Sequence, residues 1–148
     1  WQSEIESDGR RPHRIVVANV AGPGVRDAVV DWATDHYGIA PELLSAQAEA
    51  HGIRSAYERP ETLGVDRWLA LIAARCGSSR PACVLNAGTA FVIDALDGDG
   101  RHLGGLILPG VQLLNDSLAA WAAQTGRDVE AGGMLDANTY DALAARVE

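Results

Sequence analysis

The sequence predicts an α/β protein, and three observations carry that expectation. A β-branched run at residues 14–20 is closed by Gly22-Pro23-Gly24. Apolar residues at helical spacing follow it and recur after residue 62. Beyond Pro81, three short apolar runs are separated by turn residues alone. Residues 1–13 are polar and read as loop. Arg14-Ile15-Val16-Val17-Ala18-Asn19-Val20 reads as a buried strand. Val25, Val29, Trp32, Ala33 and His36 share a helix face that Gly38 closes. Leu43 to Ala48 is expected as another strand and Ile53 to Ala56 as a short extended piece.

The next helix runs from Thr62 to Cys76, with Thr62 as the expected N-cap. Val65, Trp68, Leu69, Ile72 and Cys76 form its expected core face, while Asp66, Ala70 and Ala73 lie on its flank. Gly77-Ser78-Ser79-Arg80-Pro81 is the strongest boundary in the chain. Ala82–Asn86, Thr89–Leu96 and His102–Leu108 then read as an antiparallel meander. The turns of that meander are Ala87-Gly88 and Asp97-Gly98-Asp99-Gly100. Pro109-Gly110 opens a helix through Trp121, with Val111, Leu114, Leu118 and Trp121 at helical spacing. Gln124 to Gly133 is expected as loop and Asn138 to Val147 as a last helix.

Composition narrows the function classes. Twenty acids against 12 Lys and Arg in 148 residues give a net charge of −8, which repels nucleic-acid backbones but leaves room for a small anionic ligand. No apolar run approaches the length of a membrane span. Cys76 and Cys83 lack metal spacing and are expected as two small buried thiols in a reducing cytosol, which makes a cytoplasmic location the expectation. The four histidines are scattered without a second ligand at metal spacing, so no transition-metal site is assigned. His102 is expected on the surface or at a strand edge. The chain begins at Trp1 rather than methionine, so a processed, cleaved or partly sequenced product is expected.

Two stretches could carry chemistry. In Tyr57-Glu58-Arg59-Pro60-Glu61-Thr62-Leu63-Gly64-Val65-Asp66-Arg67-Trp68, a turn rich in charge runs straight into a helix. The local residues leave two readings of Asp66 open. It is either a first-turn acid favoured by the helix dipole and paired with a nearby arginine, or a catalyst beside a cleft. On the first reading, Tyr57 and Arg67 are amphipathic surface groups. Asn86-Ala87-Gly88-Thr89 is either an ordinary hairpin turn or a concavity whose N–H groups and hydroxyl hold a phosphate. Gly104-Gly105 and Pro109-Gly110 allow either close strand packing or close approach to a ligand.

Three motifs together resemble a known family. Tyr57…Pro60-x-x-Leu63-Gly64-Val65-Asp66-Arg67-Trp68, then Asn86-Ala87-Gly88-Thr89-Ala90, then Gly100-x-His102-x-Gly104-Gly105-x-Ile107-x-Pro109-Gly110 is similar to the type III pantothenate kinases, relatives of the Bvg accessory factors. The match covers about residues 54–122. The resemblance implies the fold of the acetate and sugar kinase, heat-shock protein and actin superfamily, built from two ribonuclease-H-like halves. Residues 1–77 would be the remainder of the first half, with the acceptor-binding segment at 57–68. Residues 80–148 would begin the second, so both halves are expected to be incomplete here. The resemblance further implies ATP-dependent phosphorylation of pantothenate to 4'-phosphopantothenate, the first step towards coenzyme A, by a homodimer using ATP with Mg2+. Asp66 matches the family's proton acceptor. Tyr57, Gly64, Val65, Asp66 and Arg67 match its pantothenate contacts, and Thr139 matches loosely a later one. Gly88 and Thr89 match the ATP-contacting turn.

The chain departs from the family in two motifs. An Asp-x-Gly-Asn-Thr phosphate loop does not occur in the sequence, so this chain alone is expected to bind ATP poorly. Asn86 stands where many members carry an aspartate that binds a monovalent cation, K+ or NH4+. An amide keeps an oxygen ligand but loses the charge, which argues against a strong cation site. A non-catalytic regulatory or pantothenate-sensing protein on the same fold is the alternative expectation. A sugar or acetate kinase relative with another acceptor is the third, and the segment from Tyr57 to Arg67 argues against it.

Overall fold

A computed structural model describes residues 11–125, and their architecture is α/β. Thr139 and the expected final helix lie outside the described residues. The chain divides into two compact units: one holds the residues up to Val84 together with Asp94–Gly104, the other Leu85–Ile93 together with the residues from Gly105 onward. Among the described residues no helix is long and apolar enough to cross a membrane.

The first unit begins with a strand–helix–strand element. Strand β1 (Val16–Val17) pairs in parallel with β2 (Glu42–Leu43), Val16 opposite Glu42 and Val17 opposite Leu43. Helix α1 (Pro23–Tyr37) connects them, as a parallel pair requires. Pro23 opens α1, and Gly38 closes it in the left-handed conformation, its N–H donating to Thr34 O. Both strands are shorter and more open than the residue pattern suggests. Val16 and Val20 are exposed, and Asn19 ends the ladder by turning its side chain onto Gly22 O and Ala21 N. Residues 44–48 are not strand, and Ala46 turns into the core instead.

Strands β3 (Glu49–Ala50) and β4 (Ile53–Arg54) form a hairpin that the sequence reading saw only as an extended piece. Its two-residue turn, His51-Gly52, has positive φ at both positions, the type I′ geometry. Asn-Gly usually announces such a turn, and a histidine in the first place conceals it.

Helix α2 (Val65–Gly77) follows a 3-10 turn at Pro60–Thr62. Its buried residues are Val65, Arg67, Trp68 and Leu71, and Ile72 packs against the core from its edge. Trp68 and Leu71 meet Ala46, Ile53, Leu63 and Leu96 in one apolar cluster. Cys76 is exposed, as is Cys83, so the expectation of buried thiols is corrected. The helix end carrying Cys76 projects past the core, and the strand face carrying Cys83 points away from it.

Strands β5 (Ala82–Ala87), β6 (Ala90–Leu96) and β7 (His102–Pro109) form a three-stranded sheet in sequence order. Their short connections make the sheet an antiparallel meander, as expected. Along β6, Val92, Asp94 and Leu96 are buried in strict alternation. In the second unit, helix α3 (Val111–Thr125) extends past Trp121 into residues expected as loop.

The loop between β6 and β7 is held hard against the β3–β4 turn. Arg54 N–H donates to Gly100 O at 2.9 Å, and Arg75 Nη1 donates to Gly98 O at 2.9 Å. Gly100 has φ +82°, and a Cβ there would strike the carbonyl oxygen of Gly52. Gly100→Ala is therefore expected to cost about 3 kcal/mol through left-handed strain and overpacking together. Gly98→Ala, whose Cβ meets only ordinary contacts, should stay within about 1 kcal/mol. Urea unfolding of the two variants beside the parent checks this, and equal midpoints would refute it.

Candidate active site

The site is built where the 3-10 turn hands over to α2. Leu63 is buried, which anchors the turn, and Gly64 is the residue that caps α2. Thr62 does not cap the helix as expected. Its hydroxyl donates backwards to Arg59 O at 2.7 Å, which closes the 3-10 turn two residues before the cap position.

Asp66 lies in the first turn of α2 and is exposed. Its carboxylate folds back over the helix start, because a Cβ at position 64 would lie 2.6 Å from Asp66 Oδ1. Only glycine leaves room for that rotamer. Among the described residues Asp66 has no hydrogen bond or ion pair, so the side-by-side pair with Arg67 does not form. Consecutive helical residues point about 100° apart. Asp66 therefore turns outward where Arg67 turns inward.

Arg67 is buried, only 7% exposed, and its partner is 27 residues away. Its guanidinium grips Asp94 with both edges of the fork, Nε to Oδ2 at 2.9 Å and Nη2 to Oδ1 at 2.6 Å. Nη1 donates to the Tyr57 hydroxyl at 3.1 Å. The same Asp94 Oδ1 lies 2.9 Å from His102 Nε2. The Tyr57 ring stacks parallel to that of His102, with centroids 6.0 Å apart. The hydrogen bond to Asp94 raises the Arg67 pKa, so its charge is permanent. Burial pushes the Asp94 carboxyl upward, but hydrogen bonds from Arg67 and His102 and the charge of Arg67 outweigh it and hold the group below the usual carboxylate range.

His102 opens β7, an outer strand of its sheet as one expectation had it, but it is wholly buried rather than at the surface. Neither it nor Asp94 was singled out as a site residue. A signal was present: an acid on the apolar face of β6, between Val92 and Leu96, demands a buried partner.

A cavity of about 270 Å³ opens beside this helix start, lined by Asn19, Ser45, Ala46, Thr62, Gly64 and Val65 among others. It lies just beyond the carboxyl ends of β1 and β2, where open parallel sheets bind small molecules. Of the expected acceptor contacts, Gly64 and Val65 line this cavity, while Tyr57 and Arg67 are joined to each other by their hydrogen bond.

Gly88 and Thr89, expected from the resemblance to contact ATP, belong to the second unit. Gly88 and Thr89 form the two-residue link between β5 and β6, and both are exposed. Gly88 N–H donates to Ala90 O, so it is used in closing the turn. Among the described residues the Thr89 hydroxyl has no protein partner. Gly110 N–H donates to Thr89 O at 3.0 Å, and a Cβ at 110 would strike Gly88 O and Thr89 O. The start of α3 thereby fixes the turn. Asn86 is exposed near the end of β5.

Fold and site define an α/β protein with a small-molecule cavity, an unpartnered acid at a helix start and a buried arginine behind it. The family model described as type III pantothenate kinase matches residues 1–147. Three relatives carry that name. The Nitrosococcus oceani protein is 46% identical over 124 residues, covering 80% of this chain and 47% of the relative. Those of Halorhodospira halophila and an Azoarcus species are 40% and 43% identical, covering 92% and 88% of this chain and 54% and 49% of the relatives. The chain belongs to the type III pantothenate kinase family. It spans about half the length of these curated relatives.

The buried ion pair yields a stability prediction. Because Asp94 binds its proton less readily folded than unfolded, it contributes stability that is complete above the unfolded carboxylate range, about pH 4. That contribution is lost as pH falls through the lowered folded value. Asp94→Asn should cost about 3–5 kcal/mol at neutral pH by stranding Arg67. The gap between parent and variant should narrow as denaturant melts are taken down from about pH 5 to about pH 2. A gap constant with pH would refute the assignment.

Proposed function

We propose that this chain carries the acceptor site of an ATP-dependent pantothenate kinase, with Asp66 as general base. The observation that carries the proposal is the Asp66 carboxylate: exposed, without a protein partner among the described residues, and next in sequence to Gly64 and Val65, which line the cavity. A base must be free to accept the proton of the substrate's primary hydroxyl as its oxygen attacks phosphorus. Glycine at 64 and the inward turn of Arg67 keep Asp66 free in this way.

Tyr57, Gly64, Val65 and Arg67 are assigned to pantothenate, with Thr139 as a further contact. Gly88 and Thr89 are assigned to the phosphates of ATP. The turn suits that role in part, through the Thr89 hydroxyl, since Gly88 N–H is already engaged. ATP with Mg2+ supplies the phosphoryl group and neutralises its charge. The same reading makes the protein a cytoplasmic homodimer of ribonuclease-H-like halves, divided near residues 77–80.

Two experiments test the proposal. Phosphorylation of pantothenate should be detected for the whole protein carrying this chain, and Asp66→Asn should lower kcat by about 100-fold or more. No activity in the parent, or equal activity in the variant, refutes Asp66 as the base of this reaction. Activation by potassium should be shallow, because Asn86 offers an uncharged oxygen, and Asn86→Asp should steepen it. A steep potassium response in the parent would overturn the assignment of Asn86.

A further inference from the structure

We propose that Asp94 and His102 are positioning residues that set Arg67 and Tyr57 for the acceptor. This inference rests on the acceptor reading above. Arg67 has five N–H groups, of which three are spent on Asp94 and Tyr57. One N–H on each terminal nitrogen remains uncommitted among the described residues. With its charge matched by Asp94, Arg67 offers a ligand direction rather than net attraction. The value of two fixed N–H groups and a fixed phenol then depends on what holds the fork.

His102 is what holds it. The Asp94 carboxylate only accepts, so His102 Nε2 carries the hydrogen of the 2.9 Å contact. In the neutral ring, Nδ1 then keeps a lone pair, and that atom is buried without a partner. A phenylalanine would fill the space, keep the stack on Tyr57 and leave no orphaned nitrogen. Packing alone therefore does not explain a histidine here. The one contribution that phenylalanine cannot copy is the N–H to Asp94 Oδ1. That oxygen takes one bond from His102 and one from Arg67 Nη2, which fixes the plane of the carboxylate. The bidentate fork must lie in the same plane, and the Tyr57 hydroxyl follows through Nη1. Specificity would then favour an acceptor presenting carbonyl or carboxylate oxygens at a set angle, as the amide and acid of pantothenate do.

The test compares two substitutions in the full chain. His102→Phe keeps the stack and removes the donor, whereas His102→Gln places an amide N–H near the position of Nε2. Hydrogen exchange at Arg67 Nε–H, read by NMR, should quicken in the Phe variant and return towards the parent in the Gln variant. Pantothenate affinity by calorimetry should fall about tenfold in the first and stay within about threefold in the second. Parent-like exchange or affinity in His102→Phe overturns the inference and leaves the acceptor reading standing, as does a Gln variant no better than Phe. A parent that shows the exchange pattern but binds no pantothenate overturns the acceptor reading, and the inference with it. If the Phe variant does not fold, the His102 tautomer in the parent decides: a hydrogen on Nδ1 rather than Nε2 overturns the proposal.

Discussion

The buried pair of Arg67 and Asp94 is the constraint on which the first unit depends. It ties α2 to β6 across the interior, with Tyr57 and His102 completing the hydrogen bonds on either side. Two charges removed from water repay their desolvation only when geometry and partners are good, and a hydrophobic replacement of the whole set would be no less stable. What such a pair supplies is a single orientation. Arg67 turns inward on α2 while Asp66, about 100° round the helix, faces outward and is left unpartnered among the described residues.

Three glycines set the chain around that pair by what they leave out. Gly64 leaves room for the Asp66 carboxylate over the helix start. Gly100 lets the β6–β7 loop rest on the Gly52 carbonyl, which places the start of β7 and therefore His102. Gly110, in the second unit, allows α3 to begin directly against Gly88 and Thr89. Gly64 and Gly110 belong to stretches that suggested ligand approach, and Gly100 to an expected hairpin turn. The structure gives Gly100 and Gly110 a nearer reason, the close passage of one backbone past another.

Much of the framework was legible in the residues. Helix α1 with its Gly38 stop, helix α2, and the three strands of the meander follow the expected spans to within a few residues, because each has enough periodic apolar residues for the pattern to speak. The short strands were not legible. β1 and β2 contribute two residues each to their ladder, and an Asx turn at Asn19 ends the first. The β3–β4 hairpin turns on His51, where a non-glycine residue takes the uncommon positive φ. The capping role passed from Thr62 to Gly64 because the preceding 3-10 turn claimed the threonine hydroxyl.

The sequence by itself determined the α/β class, the turn at Gly88-Thr89 and the family, since these rest on local pattern and on motifs in order. Tertiary structure alone decided which side chains of the segment from Tyr57 to Arg67 face inward. The local residues left Arg67 open as an amphipathic surface group and placed His102 at the surface or a strand edge, because either is buried only if a partner meets it. That partner, Asp94, stands 27 residues from one and eight from the other. No local pattern records a hydrogen bond between residues so placed. It exists only once β6 has been laid beside α2 and the three groups share one dry space.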